Sequence, residues 1–365
     1  MNNKKQNIPL PAWPNQICVA LVCTLMSVGA GATTDTQHQV SGYIQLDTIF
    51  NIEDDSNNEH ALVRLVSDEA RDEEGDINLT SLHSRLNITT LASNPEMGQI
   101  KSVIEGDFFG GGVMGLRHAY FTHNNMLFGQ TWTTFMDLAA LPEKGEFGGS
   151  AARVFSRKSM VRFSHEIASG KLELALEQPL YNVAGEQDAV MPDVIAKFTR
   201  KTGFGHVAAA ALLQNVVVED SANNVDDSAI ALAGRVSGRV NLEKNDNVKF
   251  AVIFGQGLGG YLNFADTASA NITNSKIELS DTVATRLSYQ HHWSNQLRST
   301  LVIAKTTADI NGVDAGDYQS LHVNCIYSPF KPLKYGLELI NASKEQAQGS
   351  DLKLNRFQIF AQYKF

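Results

Sequence analysis

The stretch that decides the fold is Leu354 to Phe365, LNRFQIFAQYKF. From Arg356 onward, apolar and polar side chains alternate, and Phe360 is the one apolar residue on the polar face. Successive side chains of a β-strand point to opposite faces, so this pattern predicts a strand with one apolar and one polar face.

The same period of two recurs along the chain. Leu172, Leu174 and Leu176, for example, alternate with Glu173. Most of the predicted strands are close to the roughly ten residues that a tilted strand needs to cross a bilayer. We count sixteen of them, at 40–50, 78–91, 99–108, 114–122, 126–132, 152–165, 170–177, 193–200, 204–214, 229–241, 247–256, 278–292, 296–306, 317–328, 332–341 and 353–365.

The connections between these strands alternate in length. Those after odd-numbered strands are long, apart from 109–113, and those after even-numbered strands are short. Short turns at one end and long loops at the other are typical of bacterial outer-membrane barrels, whereas a β-sandwich has no reason to keep this order. The sequence therefore predicts an all-β fold, a 16-stranded antiparallel transmembrane β-barrel over 33–365. An even strand number puts both ends of the chain in the periplasm, and sixteen strands enclose a lumen wide enough for water.

The first residues have the pattern of an export signal. Lys4 and Lys5 precede an apolar run at 17–28, and Ala30-Gly31-Ala32 follows as a cleavage pattern. We predict a signal peptide over 1–32, because the run is too short to span a bilayer. Its removal leaves Cys325 as the last of 3 cysteines, so no internal disulfide can form. The predicted location is the bacterial outer membrane.

The charge of the chain is concentrated in a few segments. The net charge of −9 over 365 residues argues against nucleic acid as the main partner. Acidic residues cluster in 51–76 and again in 219–227. We interpret 51–77 as a long acidic outer loop. Two readings stay open: the loop binds divalent cations that bridge lipopolysaccharide, or it is a solvated run of charge.

Arginines recur on the polar faces of the strands. A charge on the lipid face at mid-bilayer costs about 2–4 kcal/mol, so these side chains are expected to face the lumen. Two interpretations are open. The arginines form a basic wall that attracts anions, or carboxylates on the same polar faces neutralise them. The candidate pore-lining, anion-binding residues are Arg85, Arg117, Arg162, Arg235, Arg239 and Arg286.

One long connection is a candidate constriction. Segment 133–151 contains MDLAALPEKGEFGG, in which 136–143 is compatible with a short helix. In sixteen-stranded porins a loop at this place often folds inward and narrows the pore. Asp137, Glu143 and Glu146 would then face the basic wall. The alternative is a surface loop that packs at a subunit contact.

Motifs for catalysis are missing from the sequence. It contains no G-x-S-x-G, and His165-Glu166 is not followed by the second histidine of a zinc-protease motif. His291 and His292 are adjacent, so on a strand they point to opposite faces and chelate poorly. We therefore expect no enzyme, no cofactor and no metal.

Several stretches of the chain resemble the DcaP-like porins. They are 105–110 (EGDFFG), 116–120 (LRHAY) and 128–137 (FGQTWTTFMD), together with the C-terminal phenylalanine. The resemblance implies a homotrimer that takes up dicarboxylate-type or aromatic acids passively, with Arg117 in the lumen. Gln130 and Trp132 match the motif without an assigned role. The family's periplasmic coiled coil is missing from the short segment before the first predicted strand.

The sequence thus predicts an outer-membrane porin for passive diffusion of small hydrophilic, mainly anionic solutes, in contact with outer-membrane lipid and lipopolysaccharide. A general, weakly selective porin is the first alternative. An outer-membrane hydrolase and a secreted β-rich adhesin are the alternatives from other classes.

Overall fold

The computed structural model describes residues 35–54, 76–96, 98–183, 191–220, 225–262, 268–310, 313–345 and 351–365. The predicted signal peptide and most of the predicted acidic loop, 55–75, lie outside these residues. No helix in the described ranges is long and apolar enough to cross a membrane.

The described part of the chain is built from β-strands. They are β1 (Asp35–Asp54), β2 (Asp76–Thr80), β3 (Arg85–Asn94), β4 (Gly98–Asp107), β5 (Gly115–His123), β6 (Met126–Trp132), β7 (Arg157–Ile167), β8 (Gly170–Glu177), β9 (Asp193–Thr202), β10 (Gly205–Asp220), β11 (Val225–Asn241), β12 (Asn247–Gln256), β13 (Ala270–Thr273), β14 (Lys276–Leu279), β15 (Asp281–His292), β16 (Leu297–Ile310), β17 (Val313–Phe330), β18 (Leu333–Glu345) and β19 (Leu352–Lys364).

These strands form a closed barrel. Each pairs antiparallel with its neighbours, and β1 pairs with β19, with Tyr43 opposite Lys364. Both β2 and β3 pair with β1, so together they make one bent crossing, while β13 and β14 form a separate hairpin. The predicted 16-stranded antiparallel barrel is confirmed, and closure excludes the β-sandwich of an adhesin.

Several strands extend further than the sequence predicts. The pairing of β10 with β11 continues to Asp220 opposite Val225, through residues that we expected in an outer loop. Val216, Val217 and Val218 are three consecutive apolar residues, so the alternation of apolar and polar residues stops there. The sequence therefore did not predict this extension. Val216 and Val218 are fully buried and pack with Tyr181 in a second apolar cluster beside the β13–β14 hairpin. This packing joins the extended β10–β11 pair to the β13–β14 hairpin.

The burial pattern is the reverse of that in a water-soluble protein. Along β15, exposed and buried side chains alternate through Asp281–Gln290. Val283 and Leu287 are 52% and 55% exposed, whereas Arg286 and Ser288 are 5% and 3% exposed. Outward apolar and inward polar side chains are what a membrane barrel with a polar lumen requires.

Part of the lumen is nonetheless apolar. Residues 133–156, which we call the inner loop, pack Phe135, Met136, Ala151 and Val154 against inward-facing wall residues from β8 to β19. Leu258, Tyr261 and Leu262, from the connection after β12, join the same core. We call these wall residues the apolar belt, and they are Ala175, Ile195, Ala210, Leu212, Ala233, Ile253, Ala284, Ala304, Tyr318, Ile340, Ala342, Leu352 and Leu354. Its many alanines leave space for the inner loop.

Candidate functional site

The inner loop begins with an attachment at Asp137. Its Oδ2 accepts a hydrogen bond from Ser237 Oγ at 2.7 Å, and the same oxygen lies 3.0 Å from His206 Nε2. The same side chain accepts from Ala139 N at 3.1 Å and so caps the 3-10 turn Leu138–Ala140, which is all that forms of the predicted helix at 136–143. Burial alone would raise the pKa of Asp137, but these hydrogen bonds and the charge of Arg235 hold it below its usual value.

A second attachment is made by Glu143. Arg298 donates to both carboxylate oxygens, at 2.6 and 2.7 Å, and Lys334 Nζ donates at 2.5 Å. Burial opposes ionisation, yet these partners hold the pKa of Glu143 well below its usual range. The loop carboxylate therefore stays charged and tied to β16 and β18.

In the third attachment the carboxylate belongs to the barrel wall, and the hydrogen-bond donors belong to the inner loop. Glu338, fully buried on β18, accepts from the backbone N–H groups of Gly145 and, at 3.1 Å, Glu146. Phe360 lies beneath the same turn, and a Cβ on Gly145 would overlap its ring. This contact explains the single break in the alternation of 356–365: Phe360 faces inward because the inner loop covers it.

The structure places Glu146 differently from the other two predicted loop carboxylates. It binds within its own loop, accepting from Lys144 Nζ at 2.9 Å and from the backbone N–H groups of Gly148 and Gly149. Its charge thus shapes the loop and is not directed at the predicted arginines.

The six predicted arginines divide into groups on two sides of the lumen. Arg85 and Arg117 share Glu105, at 3.3 and 3.2 Å, and Arg117 also pairs with Asp107. We call these four residues, with His118, the charged wall. A register shift puts Glu105 opposite His118 and Gly106 opposite Leu116, so Arg117 is the extra residue of a β-bulge. Both Arg117 and His118 are therefore buried towards the lumen, which alternation alone forbids.

On the other side, two of the predicted arginines contact the inner loop. Arg235 lies 3.8 Å from Asp137, and Arg286 donates to the carbonyl oxygens of Ala152 at 3.3 Å and Ala140 at 3.2 Å. Arg239 stands directly opposite Lys249 across β11 and β12, an arrangement of like charges that is unfavourable without an anion nearby.

Arg162, the remaining predicted arginine, reaches Thr134 Oγ1 of the inner loop at 3.5 Å. It also lines a cavity of about 690 Å³ at the end of the barrel with the short turns. The six side chains thus line one lumen but do not form one cluster.

The sequence reasoning missed a cluster of arginine and aromatic side chains at the end of the inner loop. The Arg153 guanidinium lies 4.4 Å from the ring centre of Phe155, and that of Arg157 lies 4.8 Å from the ring centre of Trp132. Arg117 approaches the same Trp132 ring at 5.7 Å. The spacing R-x-F-x-R at 153–157 is a signal for this cluster, but we read it as the start of a strand that in fact begins at Arg157.

Cations outnumber their carboxylate partners in the lumen. Lys158, Lys197 and Arg298 are neutralised, by Asp193, Glu173 and Glu143 respectively. Others have no carboxylate within 4.0 Å among the described residues. They are Arg153, Arg157, Arg162, Arg239, Lys249 and Arg286.

A comparison of the sequence with known families decides the family. The sequence model of the DcaP outer membrane proteins matches residues 28–365. The chain belongs to the DcaP outer membrane protein family. The resemblance seen in 105–137 is thereby confirmed, and the location in the bacterial outer membrane follows for a channel family with this barrel.

Solved structures agree with the DcaP assignment at the level of the fold. The outer membrane channel DcaP of Acinetobacter baumannii has a TM-score of 0.81 and 22% identity, covering 90% of this chain and 97% of that one. OmpT of Vibrio cholerae gives 0.62 and 13%, covering 90% and 99%. OmpF of Salmonella typhi gives 0.58 and 10%, covering 90% and 97%. No curated protein sequence matches the chain.

Proposed function

We propose that this DcaP-family channel lets small hydrophilic, mainly anionic solutes such as dicarboxylates or aromatic acids diffuse passively across the outer membrane. The observation that carries the proposal is the set of lumen cations that have no carboxylate within 4.0 Å in the part of the chain that the structure describes. A low-dielectric wall focuses their field, which raises the local concentration of anions and lowers that of cations.

The cluster around Trp132 supports the aromatic members of this solute class. Arg153 and Arg157 offer guanidinium groups beside the faces of Phe155 and Trp132. A carboxylate on an aromatic ring can meet a cation while the ring stacks on a neighbouring ring or guanidinium. The same arrangement suits a second carboxylate, since Arg117 is also near.

The proposed assembly is a homotrimer embedded in outer-membrane lipid, including lipopolysaccharide. The trimer form recorded for OmpT of Vibrio cholerae, a barrel of the same fold, supports it. The outward side chains that would meet lipid or a neighbouring subunit are apolar, as in Leu174, Leu232 and Leu337. We further propose that 1–32 is removed on export and that both chain ends lie in the periplasm.

The test is the reversal potential of the reconstituted channel in a salt gradient. Wild type is expected to prefer chloride over potassium, and the double variant Arg157→Gln/Arg239→Gln should lose this preference, most clearly at low salt, where charges act over about 10 Å or more. Arg200→Gln is the matched control, because it removes an exposed arginine near a short turn. A wild-type reversal potential near zero would favour the general, weakly selective porin instead.

A further inference from the structure

A small cavity lies between the inner loop and strand β15. Its volume is about 180 Å³, and its polar lining is formed by Lys144, Glu146, Ser150, Arg153 and Arg286. One water occupies roughly 30 Å³ in the liquid. The cavity therefore has room for several waters or for one small polyatomic ion.

Two guanidinium groups line the cavity, and each keeps one nitrogen without a partner among the described residues. Arg286 is 5% exposed, and its two Nη atoms donate to Ala152 and Ala140, but its Nε has no partner within the described residues. Arg153 donates through Nη1 to Gly148, and its Nε is likewise buried without a partner there. Leaving a buried charged donor unsatisfied is costly, so the two guanidinium groups that line the cavity favour an acceptor beside them.

The charges around the cavity favour an anion as its ligand. Lys144, Arg153 and Arg286 face a single carboxylate in the lining, Glu146, which is already bound by Lys144 and loop N–H groups. Glu338, the next carboxylate near Lys144, is engaged by His322 at 3.0 Å and by the loop backbone. Burial, together with neighbouring cations that include Arg286, lowers the pKa of Arg153 to about 9.

We propose that this cavity binds one small oxyanion, a carboxylate group or inorganic phosphate, between Arg153 and Arg286. The bound anion joins the inner loop to the barrel wall, because Arg153 belongs to the loop and Arg286 to β15. The site acts as a structural anion site in the loop, and it holds whether or not the channel as a whole prefers anions.

The experiment measures the unfolding temperature of the purified full-length protein in detergent, by its heat-dependent change in gel migration. Sodium phosphate and sodium acetate are titrated separately, with sodium chloride keeping the ionic strength constant. A saturable rise with phosphate alone identifies free phosphate as the ligand, and a rise with both identifies the carboxylate class as well. No saturable rise, or an equal rise with chloride alone, would overturn the site.

Two variants make the test specific. Arg153→Gln should weaken the apparent affinity at least about tenfold, since a hydrogen bond to a charged group contributes on that scale. Ser150→Asp places a carboxylate in the cavity and should raise the unfolding temperature without added anion while removing the response. Arg200→Gln should respond as wild type does.

This site shares Arg153 and Arg286 with the cations on which the proposed solute class rests, but the two proposals are read out by different measurements. An unselective reversal potential with a saturable phosphate response keeps this site and removes the anion preference. A selective channel in which Arg153→Gln still responds like wild type removes the site alone.

Discussion

The two sides of the lumen wall hold the inside of the barrel in different ways. The apolar belt packs alanine, leucine, isoleucine and tyrosine side chains against the inner loop, as in the core of a soluble protein. The charged wall around Arg117 is held by ion pairs, and it meets the inner loop through an aromatic ring, because the Arg117 guanidinium lies 5.5 Å from the ring centre of Phe147. The interior of the barrel is therefore not uniformly polar. One side holds the inner loop by apolar packing, and the other side is lined by charged side chains. The predictions that follow test this division.

The largest effect is expected on the charged wall. Arg117→Gln leaves Asp107, which is 4% exposed, without its cation, and removing one partner of a buried pair costs about 3–5 kcal/mol. Unfolding by urea in detergent, followed by fluorescence, measures the loss. Arg157→Gln is the comparison, because no described carboxylate lies within ion-pair distance of Arg157. It should shift the reversal potential and leave stability close to wild type. Equal losses for the two variants would contradict the division.

A smaller effect is expected on the apolar belt. Ala284 is fully buried beneath the inner loop, and Ala284→Leu should cost about 1–3 kcal/mol by overpacking. Thr285 is the next residue of β15 and points to the opposite, lipid-facing side. Thr285→Leu should therefore be neutral in the same urea experiment. If both variants behaved alike, the inner loop would not be seated on the belt.

The smallest effect concerns pH. The pKa values of Asp137 and Glu143 are held below their ordinary values of 3.8 and 4.5. Their contribution to loop attachment is thus fully present above those values and is lost only as the pH falls through the depressed ones. Single-channel conductance should stay constant from neutral pH to about pH 5 and rise in strong acid as the loop loosens. Glu143→Gln should show a higher conductance already at neutral pH. A change centred near neutral pH would point to histidines instead.

The alternation of apolar and polar residues was sufficient to predict the barrel and the face to which most side chains point. It placed Arg235 and Arg286 in the lumen, because inward and outward residues alternate wherever the ladder is regular. It could not place Arg117 and His118 together, since a bulge depends on the register of the neighbouring strand. It also placed the start of a strand at 152 instead of at Arg157, so Arg153 was assigned to the barrel wall and not to the inner loop.

Phe360 shows a further limit of prediction from the alternating pattern. An apolar residue on the inward face signalled that something apolar lies in the lumen. Its partner, Gly145, is far away in sequence, and no local pattern connects the two. The path of the inner loop follows from contacts with Ser237, Glu338 and Arg298, which depend on the closed barrel.

Closure of the barrel has a consequence for the order of folding. Asp47 and Gln358, which are hydrogen-bonded across the seam between β1 and β19, stand 311 positions apart. A contact of such long range forms slowly, because the entropy of closing the chain is lost before the contact contributes. Until β19 arrives, β1 and β18 are open edges able to pair with strands of other chains. The seam is thus the step at which assembly competes with aggregation, and slowing the synthesis or delivery of residues 352–364 would prolong that exposure.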